Sequence, residues 1–252
     1  MRLAAHAKVN LTLEVLGTRP DGYHELRSVV AEIPLHDDVE LEDAPAGEVT
    51  VEMEGDGMEA PRVPCEANLA VRAARALAAA AGVSRGVRIR IVKRIPVGAG
   101  LGGGSADAAA VLNGLNELWG LGLPKERLCE IGAEVGSDVP ALVLGGTVLM
   151  EGRGERVRRA RPTRGGSRSC ATESEWSRFV LRIPPVNVST ARVYAEFRPE
   201  DCGKYRNDLQ PAACRLYPAI AETIAEMEAE GLEDVQMTGS GSAVFGWRKE
   251  SR

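Results

Sequence analysis

Five glycines fall within the seven residues 98–104, inside the run Pro96-Val-Gly-Ala-Gly-Leu-Gly-Gly-Gly-Ser-Ala-Asp-Ala-Ala-Ala110. So dense a run cannot continue a helix or a strand, because each glycine weakens regular structure and admits backbone conformations closed to other residues. The next stretch, alanine-rich to about Leu118, has the composition of a helix. A turn of bare amides leading into a helix N-terminus presents unpaired N–H donors and a positive dipole end, which together form an anion cradle. A flexible linker is the bland alternative, but a linker seldom leads at once into so strong a helix pattern.

The letters separate this loop from two familiar phosphate binders. A Walker A loop requires a lysine after its last glycine, and Gly104 is followed by Ser105 and Ala106. Gly98, Gly100 and Gly103 satisfy G-x-G-x-x-G, but Val87-Arg-Ile-Arg-Ile-Val92 before them alternates apolar and basic residues, and Pro96 interrupts the approach. Alternation marks a half-exposed strand, not the central strand of a dinucleotide-binding sheet.

Elsewhere the chain mixes both periodicities. Strands are expected over 3–16, 48–54, 145–150, 179–183, 235–237 and 243–247, and helices over 68–81, 105–118, 124–135 and 218–230. The class is α+β with antiparallel character. The 252 residues are 44% hydrophobic, enough for one large core or two small ones, and the net charge of −5 speaks against a general nucleic-acid binder. No apolar run approaches the roughly 20 residues of a membrane span, and the first residues alternate like a strand instead of forming a secretory segment. A cytoplasmic protein is expected, with no nucleic-acid or membrane partner. The five cysteines, Cys65, Cys129, Cys170, Cys202 and Cys214, are odd in number and form no C-x-x-C pair, so neither a disulfide framework nor a zinc site is expected. Arg153, Arg156, Arg158, Arg159, Arg161, Arg164 and Arg168 crowd a stretch rich in Gly, Pro and Ser. They follow no period, and an exposed connecting loop is expected over 153–178 in preference to a phosphate-binding patch.

Several polar residues stand where chemistry is possible. Lys8 and Asn10 share one face of the strand Ala7-Lys-Val-Asn-Leu11, either toward solvent or toward a cleft, where an inward lysine would require a carboxylate partner. Asp138, in Gly136-Ser-Asp-Val-Pro140, can cap a helix or receive a proton from an alcohol. Ser105 can cap the helix behind the loop or bond a phosphate or Mg²⁺. His24 can offer a donor and an acceptor to a pyrimidine edge or serve a structural role. Tyr194 can be a core tyrosine on a helix, and Gly239-Ser-Gly-Ser242 reads as a tight hairpin turn or a second backbone cradle.

Taken together, these motifs resemble the GHMP kinases. The loop from Pro96 to Ser105 is similar to the family's signature, and G-L-G-G-G-S followed by a small residue and D-A-A is its more selective extension. Ala7-Lys-Val-Asn-Leu11, Arg19-Pro-Asp-Gly-Tyr-His24, Asn68-Leu-Ala-Val-Arg-Ala-Ala74, Gly136-Ser-Asp-Val-Pro140, Asn207-Asp-Leu209 and Met237-Thr-Gly-Ser-Gly-Ser-Ala-Val-Phe245 match further family elements in the expected order. The resemblance implies a two-lobed GHMP kinase fold, with the glycine-rich phosphate loop in an N-terminal lobe over 1–152 and a ferredoxin-like C-terminal lobe over 153–252. It implies ATP and Mg²⁺ as cofactors, with Pro96, Val97, Gly98, Ala99, Gly100, Leu101, Gly102, Gly103, Gly104, Ser105, Ala106 and Asn68 on the nucleotide. Lys8 and Asp138 would be catalytic, and Asn10, Tyr23, His24, Tyr194, Gly239 and Ser240 would bind substrate. Within the family the likeness is to the branch acting on a small molecule, a cytidine diphosphate-linked methylerythritol. Tyr23 and His24 would contact the cytosine and Tyr194 would stack on it. A homoserine- or mevalonate-type kinase, or an inactive binding protein of the same fold, are the alternatives. A monomer or weak homodimer is expected. Where the family usually carries two serines, this chain has Ser105-Ala106.

Overall fold

A computed structural model describes residues 1–19, 22, 24–57, 63–160 and 176–250. Strands β1 (Arg2–Thr18) and β2 (His24–Ala44) form a long antiparallel pair. After β3 (Val49–Gly55) come α1 (Leu69–Ala81), β4 (Gly86–Lys93), α2 (Gly103–Leu118), α3 (Lys125–Val135), α4 (Val139–Leu144), β5 (Thr147–Gly152) and β6 (Arg156–Arg159). The first sheet has the order β3-β4-β2-β5-β6, with β1 paired to β2. The C-terminal part holds β7 (Phe179–Arg182), α5 (Thr190–Glu196), α6 (Gln210–Leu216), α7 (Pro218–Ala229), β8 (Glu233–Met237) and β9 (Val244–Trp247). Its strands form a second, antiparallel sheet in the order β7-β9-β8.

Helices α1 to α4 bury their apolar residues against the first sheet. Leu77, Leu112, Leu115, Leu128 and Ile131 meet Val39, Leu41, Ile89 and Ile91 in one core. Small residues on α2 let it lie close. A Cβ on Gly114 would stand 2.6 Å from Leu41 Cδ1 and 2.7 Å from Leu3 Cδ1, so a larger side chain there would require these leucines to shift. Arg88 and Arg90 of β4 are exposed while Ile89 and Ile91 are buried, as the alternation anticipates.

Two expectations are corrected. Arg156–Arg159 are a strand paired antiparallel with β5, not part of an exposed loop, so the first sheet continues beyond residue 152. Arg161, Arg164, Arg168 and Cys170 lie outside the described residues, as does Tyr23. The helix behind the glycine loop starts at Gly103 with Gly102 as its N-cap in the left-handed conformation (φ 70°), which makes Ser105 a first-turn residue and not a cap.

The glycine loop is stitched to both sheets. Lys8 N–H of β1 donates to Leu101 O at 3.0 Å, and Ala243 N–H, beside β9, donates to Ala99 O at 3.0 Å. A separate seam joins β1 to the C-terminal part. Leu13 N–H donates to Arg206 O, Asp208 N–H donates to Leu13 O, and Val15 N–H donates to Asp208 Oδ2. The ground between the two sheets is therefore fixed by backbone bonds, and the site lies there.

Candidate active site

Register shifts in the β1–β2 ladder fall between His6 and Lys8 and between Asn10 and Thr12. Such bulges re-aim side chains, and residues 7–11 are all buried, Ala7, Val9 and Leu11 in the core and Lys8 and Asn10 against the glycine loop and the C-terminal hairpin. Lys8, only 4% exposed, does not face solvent. Its ammonium stands 3.6 Å from Asp138 Oδ2 and donates to Asn10 Oδ1 at 2.7 Å. The requirement that an inward lysine find a carboxylate is met across the cleft.

Asp138 comes from the turn between α3 and α4. It occupies the N-cap position of α4, yet its side chain makes no capping bond. The carboxylate, 31% exposed, is directed to Lys8 and the cavity instead. Gly102 closes the third side. A Cβ there would lie 3.1 Å from Lys8 Cγ and 3.7 Å from Asp138 Oδ2, with φ at +70°. Gly100 is similarly constrained: its φ is +78°, and a Cβ would stand 2.6 Å from Thr238 O. Glycine is thus required twice in the loop, once for the close approach of the lysine–carboxylate pair and once for the C-terminal hairpin.

A cavity of about 870 Å³ opens over this junction. From the expected residues it gathers Lys8, Asn10, Gly100, Gly102, Ser105 and Asp138 at one end, with His24, Tyr194, Gly239 and Ser240 also on its walls. The rings of His24 and Tyr194 stack at 4.9 Å and 16°. Tyr194 lies on α5, as a helical reading requires, but its side chain lines the cavity. Burial, and secondarily the charge of Asp138, push its phenol well above the usual range, so the hydroxyl is neutral at physiological pH. Gly239 and Ser240 belong to the turn joining the antiparallel β8 and β9, so the hairpin reading and the cavity-lining role hold together.

Other expected nucleotide residues sit elsewhere. Asn68 caps α1: its Oδ1 accepts from Ala70 N–H at 2.9 Å and its amide faces Met53 Sδ. Ala99, Leu101 and Ala106 are buried in the core, which anchors the loop from below. Gly103 rests on Ile95 and the Lys93 ammonium. Val97 is exposed, and neither it nor Pro96, Gly98 or Gly104 lines the cavity. Sequence reasoning missed Ser137 and Thr190, and it read Arg153 as loop. All three line the cavity, Arg153 because the turn after β5 packs on the Ser137 backbone, where a Cβ on Gly154 would meet Ser137 O at 2.2 Å. None of the three interrupts an apolar run in the letters as Lys8 and Asn10 do.

A glycine cradle against a lysine–carboxylate pair, between a mixed sheet and an antiparallel one, is the arrangement of a small-molecule phosphotransferase. The family description "GHMP kinases N terminal domain" matches residues 68–146 and "GHMP kinases C terminal" matches residues 192–252. The chain is therefore a GHMP kinase. It is 42% identical to the 4-diphosphocytidyl-2-C-methyl-D-erythritol kinase of Pelotomaculum thermopropionicum over 96% of this chain and 87% of that one. It is likewise 42% identical to the enzyme of that name from a Geobacter species, over 98% and 89%. A crystal structure of 4-(cytidine 5'-diphospho)-2C-methyl-D-erythritol kinase superposes with a TM-score of 0.77 at 36% identity, covering 98% of this chain and 90% of the other. Homoserine kinase from Cytophaga hutchinsonii shares the fold alone, with a TM-score of 0.68 at 16% identity. The chain belongs to the 4-diphosphocytidyl-2-C-methyl-D-erythritol kinase family.

Proposed function

We propose that this protein transfers the γ-phosphoryl group of ATP to the 2-hydroxyl of 4-diphosphocytidyl-2-C-methyl-D-erythritol, giving the 2-phosphate and ADP. The observation that carries this reading is the convergence of Gly102, Lys8 and Asp138 at one end of a cavity whose wall also bears the His24–Tyr194 stack. The loop amides and the first turn of α2 bind the phosphates, with the Ser105 hydroxyl beside them. Asp138 accepts the proton of the alcohol, and Lys8, 3.6 Å from it, orients the carboxylate and offsets charge on the transferring group. His24 and Tyr194 receive the cytosine, with Tyr23 from the same segment. Gly239 and Ser240 line the path of the acceptor. Asn68 supports the nucleotide end indirectly, through α1, whose Leu69 packs beside Gly104.

A loop with Gly98, Gly100 and Gly102 at φ 75°, 78° and 70°, leading straight into the N-terminus of α2, supports binding of a nucleoside triphosphate. Mg²⁺ neutralises phosphate charge when bound and helps align the transfer. Among the described residues no group of three or more His, Cys, Asp or Glu could hold a metal. A cation carried mainly by the phosphates, with Asp138 as the one carboxylate among the described residues of the cavity wall, suits magnesium's habit of few protein ligands.

ADP release measured with the cytidyl substrate, with homoserine and with mevalonate tests the assignment. Turnover confined to the cytidyl substrate, with inhibition by free CDP or CMP competitive against it, is the expected result. Equal turnover of homoserine or mevalonate, or indifference to CDP, would remove the substrate reading. No ADP with any acceptor would favour the inactive binding protein.

A further inference from the structure

Asp138 is not the nearest partner of Lys8. The lysine–asparagine contact is 2.7 Å, against 3.6 Å to the carboxylate. Asn10 is in turn gripped on all sides. Its Nδ2 donates to Ser28 Oγ at 2.8 Å, its Oδ1 accepts from Thr238 Oγ1 at 3.2 Å, and its backbone N–H donates to Thr238 Oγ1 at 2.8 Å. Ser28 Oγ donates onward to Thr12 O at 2.6 Å. Lys8, Asn10, Ser28 and Thr238 are 4%, 1%, 0% and 0% exposed, so bulk water does not compete for these bonds.

Proton bookkeeping leaves one arrangement. An ammonium only donates, so the Asn10 atom beside Lys8 is the oxygen. From the other end, the Thr12 carbonyl only accepts, so it takes the single Ser28 proton. Ser28 then has only lone pairs for Asn10, and the atom beside it is the amide nitrogen. Both ends of the chain demand the same orientation. Thr238 accepts from the Asn10 backbone, which leaves its own proton for Asn10 Oδ1.

We propose that Ser28 and Thr238 are positioning residues for phosphoryl transfer: they fix the Asn10 amide, and the amide holds the Lys8 ammonium in place beside Asp138. The inference rests on the reading of Lys8 and Asp138 given above. Thr238 acts from the turn that also carries Gly239 and Ser240. That turn is itself held by Asn207 Nδ2, which donates to Met237 O and Gly239 O, both at 2.9 Å. Seating the C-terminal hairpin on β1 therefore sets the lysine, which couples one wall of the acceptor path to the reacting pair.

Paired substitutions in the full chain separate positioning from packing. Thr238→Val keeps the shape and loses the hydroxyl, while Thr238→Ser keeps the hydroxyl and loses a methyl. Positioning predicts that Thr238→Val lowers kcat about ten- to a hundredfold with little change in either KM, and that Thr238→Ser recovers most of the rate. A packing role predicts the reverse order, because the serine leaves a void, and that order would overturn the proposal. Ser28→Ala is expected to lower kcat similarly. The double variant Ser28→Ala/Thr238→Val is expected to lose less than the product of the two single losses, since both act through Asn10; a full product would count against the proposal. Should Thr238→Val fail to fold, Ser28→Ala and Thr238→Ser still decide. Lys8→Met distinguishes the two levels. If it keeps full turnover, the reading of the site fails. If it loses turnover while Ser28→Ala and Thr238→Val do not, only this inference falls.

Discussion

Asp138 and Lys8 show how little a residue's letters say about its work. An aspartate before Val-Pro is most often a turn or cap residue, and here it does hold the N-cap position. The missing side-chain capping bond and the ammonium 3.6 Å away are what set it apart. Asp138→Asn is expected to retain nucleotide binding and to lower kcat about a hundred- to ten-thousandfold, read by single-turnover kinetics beside a nucleotide-binding titration. The His24–Tyr194 stack makes a separate prediction. Tyr194→Ala removes one aromatic face worth about 1–3 kcal/mol to a stacked base. The KM of the cytidyl substrate is then expected to rise about five- to a hundredfold while that of ATP stays level; steady-state kinetics with each substrate varied in turn decide it.

At the scale of elements, the junction of β2, β4 and α2 lies directly beneath the glycine loop. Lys93 Nζ contacts Asp37 Oδ2 and bonds Asp107 Oδ2 at 2.7 Å, and all three side chains are buried. Asp37 Oδ1 also accepts from the Ile95 N–H at 2.8 Å, which ties the start of the loop to the same group. Burial, outweighing the Lys93 ammonium and reinforced by the charge of Asp37, pushes the Asp107 carboxyl up from 3.8 to about 7. A carboxyl raised in the fold keeps its proton where the unfolded chain has lost it. Its contribution is therefore full below the unfolded value of 3.8 and is lost as pH rises through about 7. Asp107→Asn should flatten this part of the melting temperature's pH dependence between about pH 4 and pH 7 relative to the parent chain; an unchanged slope would show that Asp107 does not titrate there. Asn68→Ala tests α1 as a support. Loss of its cap is expected to lower stability by about 1 kcal/mol in denaturant titration and to leave kcat near its parent value.

Across the whole molecule, the two sheets meet through few but buried bonds. Asn207, 0% exposed, donates to the hairpin carbonyls and accepts from Leu209 N–H at 3.0 Å, and its neighbour Asp208 holds the Val15 backbone. Asn207→Ala strands two carbonyls and one N–H, each costing about 1–3 kcal/mol if left without water. A lower melting temperature and a raised KM for the acceptor are expected together, since Gly239 and Ser240 ride on the same turn. Full stability with normal kinetics would show that the seam does not shape the cavity.

Much of this was legible in the letters because it is local. The glycine run, the alanine- and leucine-rich α1, the alanine-rich α2 and the alternation of β3 and β4 arise from backbone freedom, helix propensity and side-chain period over a few residues. Strand β2 was not legible. Pro34 interrupts it, and Pro34 falls in the stretch left unpaired where the ladder skips from His6–His36 to Lys8–Glu32. Nor could β6 be read from four residues of which three are arginine. The pairing of Lys8 with Asp138, the amide that steadies the lysine, and the entry of Arg153 into the cavity all join segments distant in sequence. Period and propensity describe a chain against its own near neighbours; which polar groups must share a buried space is settled only when the sheets, helices and hairpin close around it and every donor there has to find an acceptor.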